Sequence, residues 1–479
     1  MFGLNVNKPT LSRLALIILI GFFLLSHFYF ALMYETPGSD TYIYGTYALA
    51  WRQSLSNNQT VYEINEKPIE YPPLSVLWMS LPVIFINQPT FVSSEILAHN
   101  PALVDWHSIF KFFYWLFDVF IFLIILWFFI KPHKFLKIDS PNLILFIILG
   151  LLLLNFLYDR LDFYLAGLIF LSLVALISHT TYWLSFFLLA IAINFKLIPI
   201  FLAPIFLIGS LPLSYLKNFS NNFFHYQWWL ALFKRGLILI ILTAVIFLPF
   251  YLYDPNHALD FFAYHQNRGL QLESFFSSLL LIGAWFKVPM HVYHDFGAYN
   301  LQAPGANFLA QFSFALICFL VLGLAVWLLF AFKKIATNSN SFSFGAAHNL
   351  AQFQPQIFLK LVIIVLLVVM IFSKVLSPQY LLWLVPLAPL LSVKNKNNIL
   401  AIIFFIFSLF LTNLIYPYLY SYFIHDQILL ASGITIWGVP ATSAIIVLLA
   451  RNILLIITTL ILVKNIVSDL KNINNFSSQ

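Results

Sequence analysis

Six short polar segments interrupt an otherwise strongly apolar chain, and each carries side chains that can transfer a proton or bind an anion. The chain has 479 residues, of which 62% are hydrophobic and only 9% are charged. Carboxylates, lysine, arginine and histidine between apolar runs offer general acid–base chemistry and phosphate binding. The segments span residues 38–42, 70–74, 158–162, 196–199, 264–274 and 374–380. Alternation of the apolar runs predicts that all six face one side of a membrane and form one site.

Two carboxylates come early in the chain, and they suggest a base and a sugar contact. Asp40 follows the first apolar run after a Pro37-Gly38 turn, where it can accept a proton from a sugar or lipid hydroxyl. A solvated loop aspartate is the alternative. Two prolines follow Glu70 and Tyr71 and stiffen the backbone. A rigid carboxylate beside an aromatic ring suits sugar binding, and a simple helix N-terminus is the alternative.

Charged residues also occur where two apolar runs meet. Asp159, Arg160 and Asp162 occupy a tight turn, where they are either solvated or form an ion-paired wall of the site. Lys196 interrupts a nearly continuous apolar stretch. A lysine at that place either extends to the membrane surface or binds an anion such as a lipid phosphate.

The segment 264–274 is the richest in functional groups. If it is helical, the spacing of His265, Arg268 and Gln271 places them on one face, with Glu273 nearby. Arginine can bind phosphate through two parallel hydrogen bonds, and His265 can bind the same group. A charged loop exposed to water is the alternative.

Polar side chains also follow Lys374, at a turn between two apolar runs. Ser377, Gln379 and Tyr380 surround a proline there and suit sugar or phosphate contacts, although a plain helical hairpin is equally compatible. No metal-ligand spacing, phosphate-binding glycine loop or nucleophile elbow occurs in the sequence.

The composition predicts an all-α polytopic membrane protein that forms a single integral domain over residues 1–479. The ~20-residue spanning rule gives about 12 transmembrane helices. Cytoplasmic loops collect lysine and arginine, which accounts for the net charge of +7 without nucleic acid and predicts cytoplasmic termini. The loops at 34–106 and 254–306 are then extracytoplasmic. Arg451 falls within the last apolar run, where a charge is costly unless it is partnered.

The polar segments together resemble the GT-C class of membrane glycosyltransferases, and within it the polyprenol-phosphate-mannose-dependent mannosyltransferases. The resemblance rests on Asp40 with Tyr42 and Tyr44, Glu70-Tyr71-Pro72-Pro73-Leu74, Asp159-Arg160-Leu161-Asp162, Lys196-Leu197-Ile198-Pro199, residues 265–274 and Ser377-Pro378-Gln379-Tyr380. It implies a GT-C-like helix bundle with a long first extracytoplasmic loop. It also implies inverting transfer of a hexose, with mannose favoured, from a polyprenyl-phosphate-sugar donor.

The resemblance further implies roles for individual residues. Asp40 would deprotonate the acceptor hydroxyl, and Arg268, Lys196 and His265 would stabilise the lipid phosphate that leaves. Asp40 lacks the acidic neighbour found in many GT-C enzymes, so no cofactor is assigned, and a divalent metal is possible but has no paired acidic motif to support it. The expected partners are the lipid-borne donor, a lipid-linked glycan or other membrane-proximal acceptor, and the bilayer, in a prokaryotic plasma membrane. A lipid-linked sugar flippase or transporter and a lipid-linked glycan polymerase or ligase are the alternative functions.

Overall fold

The computed structural model describes most of the chain. The described residues are 12–33, 40–57, 63–64, 67–86, 101–131, 138–178, 181–213, 226–338, 348–429 and 435–476. The Pro37-Gly38 turn, much of the first loop and several lysines that determine the predicted orientation lie outside these ranges.

The described chain is built mainly from α-helices. They are α1 (Arg13–Leu32), α2 (Thr41–Asn57), α3 (Pro73–Ser80), α4 (Pro101–Ile130), α5 (Ser140–Leu152), α6 (Leu154–Leu157), α7 (Asp162–Ser178), α8 (Trp183–Phe195), α9 (Ala203–Gly209), α10 (Tyr226–Tyr253), α11 (Asp260–Asn267), α12 (Phe275–Leu281), α13 (Ala306–Asn338), α14 (Leu350–Phe353), α15 (Pro355–Phe372), α16 (Lys396–Asn413), α17 (Tyr420–Phe423) and α18 (Thr442–Phe476). Short 3-10 helices cover Leu81–Phe85, Ile198–Leu202, Ile282–Phe286, Pro378–Leu384 and Ala388–Leu390, and a π-helical turn covers Leu414–Tyr418.

Seven helices in the described ranges are long and apolar enough to cross a membrane. They are α1, α4, α10, α13, α15, α16 and α18. An integral membrane protein with many helices, as the sequence predicts, is therefore the fold class of this chain. Helix α15 is the most enclosed of the seven, whereas α10 has the fewest buried residues, as expected of a helix at the edge of the bundle.

Proline determines where several apolar runs depart from α-helical structure. The run near 379–393, which the sequence predicts as a helix, instead forms two 3-10 segments at Pro378–Leu384 and Ala388–Leu390. Pro378, Pro386 and Pro389 lack the backbone N–H that a continuous α-helix requires. Residues 274–286 form the short helical element that the sequence predicts, as α12 followed by a 3-10 turn.

The first loop contains ordered elements that position Glu70 and Tyr71. Strands β1 (Glu63–Ile64) and β2 (Lys67–Pro68) form a small antiparallel pair. Helix α3 then begins at Pro73, with Pro72 as its N-cap residue. Glu70 and Tyr71 therefore lie in a bend just before a helix, and the helix N-terminus given as the alternative for this motif is present.

The second loop folds into a hairpin that joins a four-stranded sheet. Strands β3 (His291–Asp295) and β4 (Ala298–Gln302) pair antiparallel, with β5 (Gln427–Leu429) and β6 (Thr435–Trp437) completing the order β4-β3-β6-β5. Phe296 and Gly297 both have positive φ, as a two-residue type I′ hairpin turn requires. The Leu272 N–H donates to the Tyr299 carbonyl at 2.9 Å, which ties the polar segment 264–274 to this sheet.

The expected helical face of His265, Arg268 and Gln271 does not form. Helix α11 ends at Asn267, and Arg268 is its C-cap residue with an extended backbone (φ −62°, ψ 134°). Gln271 instead forms a β-bridge with Asn300. The segment is not one continuous helix, because the stretch beyond Asn267 finds its backbone partners in the hairpin and in the segment around Lys374.

A buried polar triad ties α1 to α4 at the centre of the bundle. His27 Nδ1 lies 2.6 Å from Asp118 Oδ2, and the Tyr158 hydroxyl donates to the same oxygen at 2.6 Å. All three side chains are buried. Since polar groups within a bundle must satisfy one another, this triad fixes α1 and α4 relative to the chain at Tyr158.

We expect Asp118→Ala to lower the free energy of unfolding by about 3–5 kcal/mol, because it leaves His27 and Tyr158 buried with no carboxylate to bind. Chemical unfolding in mixed micelles measures the change. Leu116→Ala, on the exposed side of the same helix, is the matched control and should change the free energy by roughly 0.5 kcal/mol or less. Equal effects of the two substitutions would contradict the role given to the triad.

Candidate functional site

The turn at 158–162 carries three charged side chains, and each of them pairs with a different part of the chain. The pairs are Asp159 Oδ1 with Lys111 Nζ at 3.1 Å, Arg160 Nη1 with Asp40 Oδ2, and Asp162 Oδ1 with Lys196 Nζ at 2.8 Å. Asp159 and Asp162 are fully buried. The alternative that these charges are solvated is therefore wrong, and the ion-paired wall is what the structure contains.

Helix α4 holds the turn through one polar face that the sequence analysis did not identify. Lys111, Tyr114 and Asp118 are spaced three and four residues apart, so they lie on one side of the helix. Lys111 binds Asp159, the Tyr114 hydroxyl donates to the Arg160 carbonyl, and Asp118 accepts from Tyr158. In the sequence, Lys111 and Asp118 inside an apolar span were the available signal for this polar face, because charges at such positions rarely face lipid.

Lys196 is enclosed by an acid and by aromatic rings. Its Nζ lies 4.8 Å from the centroid of the Tyr380 ring and 5.8 Å from that of the Tyr71 ring. The Trp383 indole N–H donates to the Asp162 oxygen that binds Lys196, at 2.7 Å. Neither snorkelling nor a bound anion alone explains this lysine, because it pairs with Asp162, a buried carboxylate at the start of the preceding helix, α7.

Arg268 and Lys374 add two more cations beside Lys196. Arg268 Nη1 lies 3.3 Å from Glu70 Oε1, and this pair connects the first and second loops. Lys374 Nζ donates to the carbonyls of Gln266 and Arg268, at 3.1 and 2.7 Å. Burial and the nearby Arg268 lower the pKa of Lys374 to about 8. We define Lys196, Arg268 and Lys374 as the cation cluster.

His265 lies beside the cation cluster as a neutral imidazole. Burial is the main cause that lowers its pKa, and the charges of Arg268, Lys196 and Lys374 lower it further, to about 3. At physiological pH His265 therefore offers one hydrogen-bond donor and one acceptor but no charge. Its ring also meets the Tyr264 ring edge to face, at 5.8 Å between centroids.

The remaining predicted residues form the polar and aromatic lining around the cluster. The hydroxyls of Tyr71 and Tyr44 lie 3.0 Å apart. Tyr380 stacks on Trp383 with 4.5 Å between ring centroids. The Ser377 hydroxyl donates to Gln379 Oε1 at 2.7 Å, so these two side chains bind each other. The structure thus brings the 70–74 and 374–380 segments together around Lys196.

Glu273 and Arg451 are partners, which explains the charge in the last helix. Arg451 Nη2 donates to the Glu273 carbonyl at 2.8 Å and lies 3.9 Å from its Oε2. Both side chains are buried. Burial raises the pKa of Glu273 to about 7, although Arg451 and Arg160 oppose the shift. Gln271 is also buried, and its backbone N–H donates to the Lys374 carbonyl at 2.9 Å.

Asp40 lies at the accessible edge of this arrangement. Its side chain is 32% exposed, compared with 13% for its partner Arg160. Burial lowers the pKa of Arg160 to about 10, so it stays charged at neutral pH and keeps Asp40 oriented. In the part of the chain that the structure describes, no group of three or more His, Cys, Asp or Glu side chains could hold a metal ion.

This geometry combines a carboxylate that can accept a proton with a cation cluster that can bind an anion. A partly exposed carboxylate, Asp40, can accept a proton from a ligand hydroxyl. The cation cluster contains three positive charges, and two of them already bind Glu70 and Asp162. It can stabilise a further anion, since Lys374 pairs with no carboxylate among the described residues.

We predict that Glu273 titrates near pH 7, being neutral below that value and ionised above it, because burial disfavours its charge. Infrared difference spectroscopy across this range should show loss of a protonated carboxyl C=O band as pH rises. Glu273→Gln should abolish the change, while Asp105→Asn, which alters an exposed carboxylate on α4, should keep it. Persistence of the full transition in Glu273→Gln would show that another group is responsible.

No protein-family model, curated protein or solved structure matches this chain. What the site can do is therefore inferred from its own residues, distances and charges.

Proposed function

We propose that this protein is an inverting glycosyltransferase of the GT-C kind that moves a hexose, with mannose favoured, from a polyprenyl-phosphate-sugar donor to an acceptor hydroxyl. The observation that carries the proposal is the shared turn at 158–162. Arg160 of this turn binds Asp40, a partly exposed carboxylate. Asp162 of the same turn binds Lys196 of the cation cluster.

Asp40 is the proposed general base. Arg160 binds Oδ2, so Oδ1 is the oxygen proposed to accept the acceptor's hydroxyl proton. The acceptor oxygen then attacks the anomeric carbon of the sugar from the side opposite the phosphate. The bond between that carbon and the phosphate oxygen breaks, and its electron pair leaves with the lipid phosphate. A single displacement of this kind inverts the anomeric configuration.

The cation cluster is the proposed site for the phosphate that leaves. Lys196, Arg268 and Lys374 come from three separate segments, and the neutral His265 adds a hydrogen-bonding group. Cations already fixed by Asp162 and Glu70 need no reorganisation when charge develops on the phosphate, which is the main source of electrostatic catalysis. Tyr71 and Tyr380 are proposed to contact the sugar.

An apolar groove beside the cluster suits the lipid chain of such a donor. It has a volume of about 490 Å³ and is formed by α8, α9, α10 and α11. Asn194 and Thr243 contribute its few polar groups. Pro72, Leu197 and Phe261 line the groove and are close in sequence to Tyr71, Lys196 and His265. A lipid chain in this groove would present its phosphate to the cation cluster.

The proposed topology places the site outside the cytoplasm. Four shorter helical segments (α5 with α6, α7, α8, and 198–209) and the 3-10 segment at 378–390 are proposed as further crossings, which brings the total to about 12. Both termini are then cytoplasmic, in a prokaryotic plasma membrane. A lipid-linked sugar flippase is the second candidate, because the same groove could carry a lipid chain across the bilayer. A glycan polymerase or ligase would share the donor site.

Replacing Asp40 tests the base. We expect Asp40→Asn to lower turnover by ~10²- to 10⁴-fold with little change in donor KM, because only proton transfer is lost. Transfer of radiolabelled mannose from polyprenyl-phosphate-mannose by the purified protein in liposomes is the measurement. Asp105→Asn is the matched control. Full activity of Asp40→Asn would exclude this base, and lipid movement without transfer by the wild type would favour the flippase.

Narrowing the groove tests the site of the lipid chain. Gly236 faces open space next to Leu207, so Gly236→Phe should fill the groove and raise donor KM at least about tenfold, since each excluded CH₂ group costs ~0.8 kcal/mol. Gly323→Phe, at another open position on a spanning helix, is the matched control. A short citronellyl donor should be unaffected by either change. Equal loss for the long and short donors would contradict the assignment of the groove.

A further inference from the structure

Four aromatic side chains form a continuous arc near Arg160 and Glu273. Tyr299 contacts Tyr420 at 5.8 Å and Trp437 at 5.0 Å between ring centroids. Tyr420 in turn contacts Tyr416 at 5.2 Å. All four side chains are half-buried. We define Tyr299, Tyr416, Tyr420 and Trp437 as the aromatic arc.

The arc connects the two segments that carry Arg160 and Glu273. At one end, the Tyr416 ring packs on Phe156 at 5.8 Å, four residues before Arg160. At the other end, the Tyr299 carbonyl accepts from Leu272 N–H at 2.9 Å, one residue before Glu273. The charges of Arg160 and Glu273 also lie close enough to influence Tyr420. Arg160, Glu273 and the rings of the arc therefore lie near one another.

Glu273 has an oxygen that no described residue hydrogen-bonds. Its Oε2 is buried without a hydrogen-bond partner among the described residues, and Arg451 Nη2 lies 3.9 Å away, beyond hydrogen-bond distance. A buried carboxylate oxygen normally accepts a hydrogen bond. The unpaired Oε2 of Glu273 therefore points to a ligand that donates a hydrogen bond to it. A ligand hydroxyl is a donor of the right kind.

The arc differs from the ring of aromatic residues that marks a membrane surface. Tyr418 and Tyr422 lie in the same stretch of chain but are 71% and 51% exposed, as expected for interfacial anchors. The arc residues are instead half-buried and contact one another. Aromatic faces combined with carboxylates and arginine match a pyranose, which has apolar C–H faces and hydroxyl edges.

We propose that the aromatic arc, with Asp40, Arg160 and Glu273, is the acceptor subsite and that it binds a saccharide. This inference deepens the proposed function, and the assignment of the subsite to the acceptor rests on that function. The donor lies on the Asp162 side of the turn and the acceptor on the Arg160 side, with Asp40 between them. Glu273 accepts a hydrogen bond from one acceptor hydroxyl, while Asp40 takes the proton of the hydroxyl that reacts.

Binding without turnover tests the subsite. The probes are fluorescein-labelled mannotriose, maltotriose and chitotriose, titrated against the protein in lipid nanodiscs with no donor present. Wild type should bind at least one of them, and Tyr420→Ala should raise its Kd at least about tenfold. Tyr422→Ala, two residues away on α17, is the matched control and should bind like wild type. Binding of polyprenyl phosphate, measured in parallel, should be the same in the wild type, Tyr420→Ala and Tyr422→Ala.

Each result decides the question. Failure of wild type to bind any of the three saccharides, or equal weakening in Tyr422→Ala, would overturn the subsite. If Tyr420→Ala does not fold, Trp437→Leu on β6 replaces it, and a diazirine derivative of the bound trisaccharide should label peptides that contain Tyr299 or Tyr420. Saccharide binding by a protein that does not bind polyprenyl phosphate would uphold the subsite as a glycan site while rejecting the proposed donor.

Discussion

The pairing of buried charges at the 158–162 turn is the constraint on which the rest of the site depends. Within four residues, two buried carboxylates and a largely buried guanidinium each need a counter-charge from another element. Those partners, Lys111, Asp40 and Lys196, come from α4, the start of α2 and the end of α8. The position of this turn therefore determines the positions of the proposed base and the proposed phosphate site together.

Two further pairs extend the same principle to the loops. Glu70 with Arg268 joins the first loop to the second, and Glu273 with Arg451 joins the second loop to the last helix. Buried pairs of this kind add little net stability, because desolvation offsets most of their attraction. Their contribution is geometric: a shift of either loop would leave a charge unpaired in a low-dielectric environment, so the loops are held against the bundle.

The distribution of charge also divides the site into two environments. Around Lys196 and Arg268, cations and aromatic rings surround a space that is suited to an anionic group. Near Arg160 and Glu273 lie Asp40 and Tyr420, whose carboxylate, ring and hydroxyl suit the proposed saccharide acceptor. Arg160 of the 158–162 turn binds Asp40, and Asp162 of the same turn binds Lys196, so under the proposed function one short segment would position residues for both substrates.

Much of this arrangement was predictable because it depends on local physics. Hydropathy alone predicts the runs near 163–178 and 183–195, which agree closely with α7 and α8. The prolines after Tyr71 and Ser377 predict breaks in the chain that the structure contains. The prediction that the six polar segments lie together agrees with the contacts that join them.

The sequence could not determine which charged side chains pair with one another. From the sequence, Lys196 could be either a snorkelling side chain or an anion site, yet it pairs with Asp162. The sequence offers no partner for Arg451, which lies beside Glu273 in the structure. Such contacts join residues far apart in the chain, and neither periodicity nor hydropathy records them. Sequence by itself determined the membrane fold and the shared location of the polar groups. Only tertiary structure decided their pairing, because burial turns an otherwise solvated charge into one that must be neutralised by a specific neighbour.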